Sequence, residues 1–159
     1  MTIEKLVTLA RKKPKNGRWL GVDLGSKTLG LAITDPNLII ATPLKTLQRT
    51  KFSKDLPYLQ KVIIGYNVSS FVFGLPTNMN GEEGRRAQAT RDFVSNLSTH
   101  ISLPVVFWDE RLSTVAVQRL MIEEANLSRQ KRARSVDKMA AAFILQGALD
   151  ALKNHVSEP

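Results

Sequence analysis

What most constrains this chain is the order in which its apolar segments change character. Trp19 to Leu24 and Thr28 to Thr34 are apolar runs separated only by Gly25-Ser26-Lys27. Runs of this kind around a glycine turn predict two strands, and a link this short forces them to pair antiparallel. Ala41 to Leu47 suits a third strand. Alternating units follow: a helix over Ser53 to Tyr66, with Pro57 tolerated only near its first turn, then an apolar strand over Ser70 to Gly74. Next come a helix over Gly81 to His100, a strand over Pro104 to Trp108 and a helix over Thr114 to Ala125. Asn126 to Arg134 is polar and basic and predicts a loop. Val136 to Leu152 is a strong helix, with Ala140, Phe143, Ile144, Gly147 and Ala151 at three-four spacing. A three-strand meander followed by alternating helices and strands predicts an α/β domain, a mixed sheet with helices on its faces.

Residues 1–17 are expected to form a basic N-terminal extension, 18–152 the folded domain and 153–159 a C-terminal tail. Ile3, Leu6, Val7 and Ala10 follow helical spacing in a peripheral segment that Pro14-Lys15-Asn16-Gly17 ends. Of the net charge of +9, residues 1–18 supply +5 (six Lys or Arg against Glu4) and the rest +4. A basic surplus attracts phosphate backbones, although it also serves simply as a solvated surface. No apolar run reaches the ~18 residues that span a bilayer, and the N-terminus lacks the apolar core of a secretory signal. Its basic composition faintly resembles a transit peptide, against which stand Glu4 and its short length. With no cysteine the chain suits a reducing compartment, and the expected location is cytoplasmic.

The absence of cysteine removes thiol catalysis and cysteine metal clusters, and the two histidines, His100 and His155, have no partner at zinc-ligand spacing. Chemistry must rest on carboxylates, which suit hard divalent cations such as Mg²⁺. Three places offer them. Asp23 lies between Val22 and Leu24 inside a core strand, where a charge is costly unless compensated; capping of the adjacent turn is the competing reading. Asp109 and Glu110 follow the apolar strand Val105-Val106-Phe107-Trp108, and alternation lets only one of them share a given face. A salt bridge with Arg111 or a helix cap is the alternative. Asp137 sits at the start of the last helix, leaning toward the face of Ala140, Ala141 and Ile144, or else complementing the helix dipole.

Around these acids stand groups suited to a polyanion. Lys27 lies in the turn after Asp23. Thr77 and Asn78 lie in the loop Gly74-Leu75-Pro76-Thr77-Asn78-Met79-Asn80-Gly81, which is equally an ordinary strand-to-helix turn. Arg129, Lys131, Arg132, Arg134 and Lys138 bracket Asp137.

Four stretches together resemble the YqgF/RuvX family of pre-16S rRNA nucleases and Holliday junction resolvase-like proteins. They are Gly21-Val22-Asp23-Leu24-Gly25-Ser26-Lys27, Gly74 to Gly81, Asp109-Glu110-Arg111-Leu112-Ser113-Thr114, and Val136-Asp137-Lys138-Met139-Ala140-Ala141 ahead of Ile144-Leu145-Gln146. Each is weak alone; their order and spacing over residues 18–152 are specific. The resemblance implies an RNase H-like fold, with a five-stranded mixed sheet ordered 3-2-1-4-5 and helices on both faces. It implies phosphodiester hydrolysis at the pre-16S rRNA end in ribosome biogenesis. It makes Asp23, Glu110 and Asp137 the catalytic and metal-holding acids, for Mg²⁺ or Mn²⁺, with two ions expected. Lys27, Asn78, Arg111, Arg129, Lys131, Arg132, Arg134 and Lys138 become the nucleic-acid contacts. The chain departs from the family at Asn80, where the family often has Asp, and the loop after Gly74 offers Asn78 where resolvases proper place an acid.

Structured RNA is the expected partner. The alternatives are a DNA junction resolvase, which would need a dimer, and a binding module that keeps the fold without catalysis. A monomer and a weak homodimer are both compatible with the sequence. An actin-like ATPase or sugar kinase is disfavoured, because nucleotide clamping takes two lobes and no Walker A pattern is present.

Overall fold

The computed structural model of the chain describes residues 2–77, 80–109 and 129–157, with side chains described outside 129–137 and 156–157. Its elements are α1 (Thr2–Lys12), β1 (Arg18–Leu24), β2 (Thr28–Thr34), β3 (Ala41–Gln48), α2 (Phe52–Tyr66), β4 (Val68–Leu75), α3 (Arg85–Ser98), β5 (Val105–Asp109) and α4 (Arg129–Ser157). The sheet runs β3-β2-β1-β4-β5, in the expected order. Both pairs of the meander, β1–β2 and β2–β3, are antiparallel, and β4 and β5 extend β1 in parallel. The carboxyl ends of β1, β4 and β5 therefore share one edge of the sheet, the place where open α/β sheets gather ligands.

Alternation along β1 divides the core. Leu20 and Val22 face one side and pack with Phe71 and Phe73 of β4, Leu59 and Val62 of α2, and Phe93, Val94 and Leu97 of α3. Trp19 faces the other side, with Ala32, Val72, Val106 and Trp108, beneath Leu6 of α1 and Ala141, Leu145, Ala148 and Leu149 of α4. Helices thus cover both faces.

Two glycines let α4 lie close to the sheet. A Cβ on Gly21 would come 2.9 Å from Leu145 Cβ and 3.1 Å from the Ala141 carbonyl oxygen. A Cβ on Gly147 would come 3.1 Å from Trp108 Nε1. The direction of α4 follows from its contacts. Ala141 and Leu145 lie over Gly21, while Gln146 Oε1 accepts the backbone N–H of Ala41, at the start of β3. Ala41 pairs with Thr34, whose hydroxyl accepts the backbone N–H of Trp19, near the start of β1. The helix therefore descends from the carboxyl end of β1 toward its amino end.

Two expectations need correction. The loop expected over Asn126 to Arg134 is helical from Arg129 onward. Arg129-Gln130-Lys131-Arg132-Ala133-Arg134 contains only good helix formers, and no glycine or proline interrupts the sequence before Gly147. Polarity marked solvent exposure there, not irregular backbone. The N-terminal segment is helical, as its spacing predicts, and its Leu6 is fully buried against α4. The helix expected over Gly81 to His100 is shorter, because residues 80–84 form a turn before Arg85. The helix expected over Thr114 to Ala125 lies outside the described residues. Among the described residues no helix is long and apolar enough to cross a membrane.

Candidate functional site

Asp23 is the penultimate residue of the central strand and sits on the α4 face, two positions beyond Gly21. Its neighbours across the sheet are unusual for a core strand. On β2 its partner is Gly30. On β4 the register Val22 with Phe73 brings Gly74 level with Asp23. Glycine on both flanks means that neither β2 nor β4 places a side chain level with this carboxylate, which suits the approach of an ion or phosphate. Asp23 is only partly buried, so the charge keeps access to solvent.

Asp109 ends β5, paired with Leu75 of β4. Val106 and Trp108 pack on the α4 face, so alternation turns Asp109 to the opposite face from Asp23. There its carboxylate accepts the Thr77 hydroxyl at 3.1 Å. Thr77 thus ties the β4 loop to β5. Beyond Asn78, which lies outside the described residues, the same loop is fastened again. Asn80 Oδ1 accepts the Glu82 backbone N–H at 3.0 Å, and Arg91 forks onto the Glu83 carboxylate at 2.6 and 2.9 Å. The hydrogen bond from Arg91, helped by the ion pair's Coulomb attraction and opposed by desolvation, holds Glu83 below its ordinary carboxylate value.

Asp137 lies on the backbone of α4, eight residues after Arg129, so it is past the first turn. Dipole complementation at the helix start no longer accounts for it. It stands four, seven and eight positions before Ala141, Ile144 and Leu145, which are buried against the sheet, and so belongs to the same helical stripe. Ala141 lies over Gly21, so one turn upstream brings the backbone of residue 137 toward the Asp23 end of β1. Arg129, Lys131, Arg132 and Arg134 occupy the preceding turns of this helix, and Lys138 follows, half-buried. Glu110 and Arg111 lie outside the described residues. Among the described residues no three acidic or histidine side chains cluster closely enough to hold a metal ion.

One contributor escaped the sequence reading. Arg49, just past β3, donates from Nη1 to the Gly25 carbonyl at 2.6 Å and reaches the Ser26 carbonyl at 3.5 Å. Its backbone N–H also bonds the Lys27 carbonyl at 2.8 Å, and its guanidinium lies 5.6 Å from the Phe93 ring centre. Arg49 therefore clamps the turn that follows Asp23 and carries the exposed Lys27. The only sequence signal for it was an arginine directly after a strand.

A family model described as RuvX, Holliday junction resolvase, matches residues 17–151. The chain belongs to the RuvX family. Among its relatives, a protein of Rhodobacter capsulatus is 55% identical over 139 residues, covering 87% of each chain. One of Methylocella silvestris is 54% identical over 144 residues, covering 91% of this chain and 88% of the relative. Both carry the name "Putative pre-16S rRNA nuclease". Among solved structures, the chain resembles Thermus thermophilus RuvC in complex with a Holliday junction, with a TM-score of 0.54 at 15% identity, covering 87% of this chain and 96% of that one. It also resembles the yeast mitochondrial Holliday junction resolvase Ydc2, with a TM-score of 0.53 at 13% identity, covering 96% and 86%. At that identity the likeness concerns the fold, which is RNase H-like.

Proposed function

We propose that this RuvX-family chain is a metal-dependent nuclease that hydrolyses phosphodiester bonds in structured RNA, at the pre-16S rRNA end, in the cytoplasm. The observation that carries the reading is the setting of Asp23: a carboxylate at the end of the central strand, flanked by Gly30 and Gly74, beneath the helix that carries Asp137. Relatives more than half identical over most of their length, named for that activity, support the substrate class.

Asp23, Glu110 and Asp137 are the acids assigned to hold the cation. Asp109 is the weaker choice for the second acid, because it faces away from Asp23 and is engaged by Thr77. An all-oxygen donor set without histidine or cysteine fits Mg²⁺ or Mn²⁺, one or two ions. When bound, such ions supply Lewis-acid polarisation of the phosphate and ease deprotonation of a water molecule. The chain itself does the positioning. Arg49 fixes the turn bearing Lys27, and the glycines leave space for the phosphate. Lys27, Asn78, Arg111, Arg129, Lys131, Arg132, Arg134 and Lys138 are assigned to the sugar-phosphate backbone, with the chain acting as a monomer or weak homodimer.

The description of the matching family favours a second reading, cleavage of DNA four-way junctions. Incubating the purified chain with pre-16S rRNA ends, duplex DNA and four-way junctions, each with Mg²⁺ or Mn²⁺, separates the two. Cleavage of the RNA ends is expected. Cleavage of junctions alone would transfer the assignment to DNA, and cleavage of none would leave a binding module.

A further inference from the structure

At the edge of the sheet opposite Asp23, the connection between β2 and β3 is built to display two isoleucines. Ile39 and Ile40 are 68% and 57% exposed. The carboxylate of Asp35 accepts the backbone N–H groups of Asn37, Ile39 and Ile40 at 3.1, 2.7 and 2.9 Å. Leu38 takes a left-handed backbone with φ of 56°, uncommon for a residue with a side chain. From α4, Gln146 Oε1 accepts the Ala41 N–H and its Nε2 donates to the Ile39 carbonyl. The loop is held from within and from the helix, so the two isoleucines are presented in a fixed place.

Beside them opens a groove of about 850 Å³ with a floor that includes Leu38, Leu149 and Leu152 and a rim of Lys13, Lys15 and Lys153. Lys13 spends its ammonium on the carbonyls of Pro14 and Lys15. Among the described residues none of the three lysines has a carboxylate partner at salt-bridge distance. Asp150 is the one acid in the lining, and it accepts the Gln146 side chain. The groove lies about a strand length, roughly 20 Å, from Asp23, so its occupant need not enter the proposed catalytic edge.

We infer that this groove docks a segment of a partner protein that combines aliphatic side chains with carboxylates. An aliphatic floor rewards aliphatic anchors, and a lysine rim that meets no carboxylate among the described residues rewards acids beside them. RNA would satisfy the lysines but not the floor. Unpaired bases stack on aromatic rings or guanidinium planes, and the groove lining contains neither. A second copy docked through a two-fold axis would set one lysine-rimmed surface against another, with Asp150 as the one acid in each groove lining. The acidic-aliphatic segment is the occupant that uses both features.

The test pans a phage-displayed peptide library on the immobilised full chain and measures the enriched peptides against Ile39→Glu and Lys153→Glu variants. Both sites are exposed, and circular dichroism melts verify that the variants fold. The expected peptides pair Asp or Glu with Leu or Ile and lose at least about tenfold in affinity on either variant, while cleavage of RNA is unchanged. Three results would overturn the inference. One is the absence of peptides that depend on Ile39. Another is a structured RNA whose binding falls in the Ile39→Glu variant. The third is a wild-type dimer that Ile39→Glu converts to monomer in sedimentation.

Discussion

The carbonyl oxygen of Ala141 stands so close over Gly21 that a Cβ on the glycine would approach it to 3.1 Å. This contact sets how closely the helix bearing Asp137 lies on the strand bearing Asp23. Because the obstacles are backbone and the Leu145 Cβ, not a flexible side-chain tip, Gly21→Ala must lift α4. Overpacking of this kind costs about 1–3 kcal/mol. Thermal melting should show that loss. Cleavage should fall by more than the unfolded fraction explains, since the two acids would be set apart. A variant with wild-type melting and turnover would show that the close approach has no role.

Arg49 gives a second test, on the turn after Asp23. Arg49→Ala removes the 2.6 Å bond to the Gly25 carbonyl and should cost about 1–2 kcal/mol. Arg49→Lys keeps the charge but not the planar fork and should recover only part of the loss. The expected kinetic signature is reduced cleavage at saturating RNA in the folded variants, read from single-turnover rates. Equal rates in all three proteins would limit Arg49 to fold stability.

Much of the fold was legible in the sequence because it rests on local patterns: apolar runs, a tight Gly25-Ser26-Lys27 turn and three-four spacing before Leu152. What escaped depends on register and on long-range contact. Gly30 and Gly74 flank Asp23 only once the strands are paired, and nothing local marks either as its neighbour. Arg49 meets Gly25 because Gln48 pairs with Thr28, bringing the end of β3 to the β1–β2 turn. The early part of α4 was missed for a different reason. Its basic residues suggested a loop, although arginine, lysine and glutamine are good helix formers. Asp23 itself was legible as a charge inside an apolar strand, while the face that Asp109 takes and its Thr77 contact appear only once β5 is paired in the sheet.

The basic turns of α4 carry an electrostatic prediction. If Arg132 and Arg134 contact phosphates, replacing both with Gln should weaken RNA binding and flatten the dependence of log affinity on log salt. Each lost contact removes about 0.7–0.9 from the slope. Filter binding across a salt series checks this, and an unchanged slope would assign the cluster to solvation.

Asp35 carries a pH prediction. Burial raises its pKa, but the backbone donors of Ile40, Ile39 and Asn37 outweigh that effect, and the net position is below the ordinary value. A carboxyl depressed on folding stabilises the protein above its unfolded pKa, and that stability is lost as pH falls through the folded pKa. Wild type should therefore lose stability faster than Asp35→Asn as pH falls below about 4. Melting curves from neutral to acid pH measure the difference. Parallel curves would mean that the carboxylate's charge does not hold the loop.

The central claim is that Asp23 holds a divalent cation for phosphodiester hydrolysis, and Asp23→Asn tests it most directly. Asparagine keeps the size and hydrogen bonding that would cap a turn but removes the charge that binds the ion. The measurement pairs the cleavage rate of pre-16S rRNA ends with thermal melting, each in Mg²⁺ and in EDTA. The account predicts a folded variant whose Mg²⁺-dependent turnover is down at least ~100-fold, with melting no longer responsive to the metal. A folded Asp23→Asn protein that cleaves at the wild-type rate would contradict it.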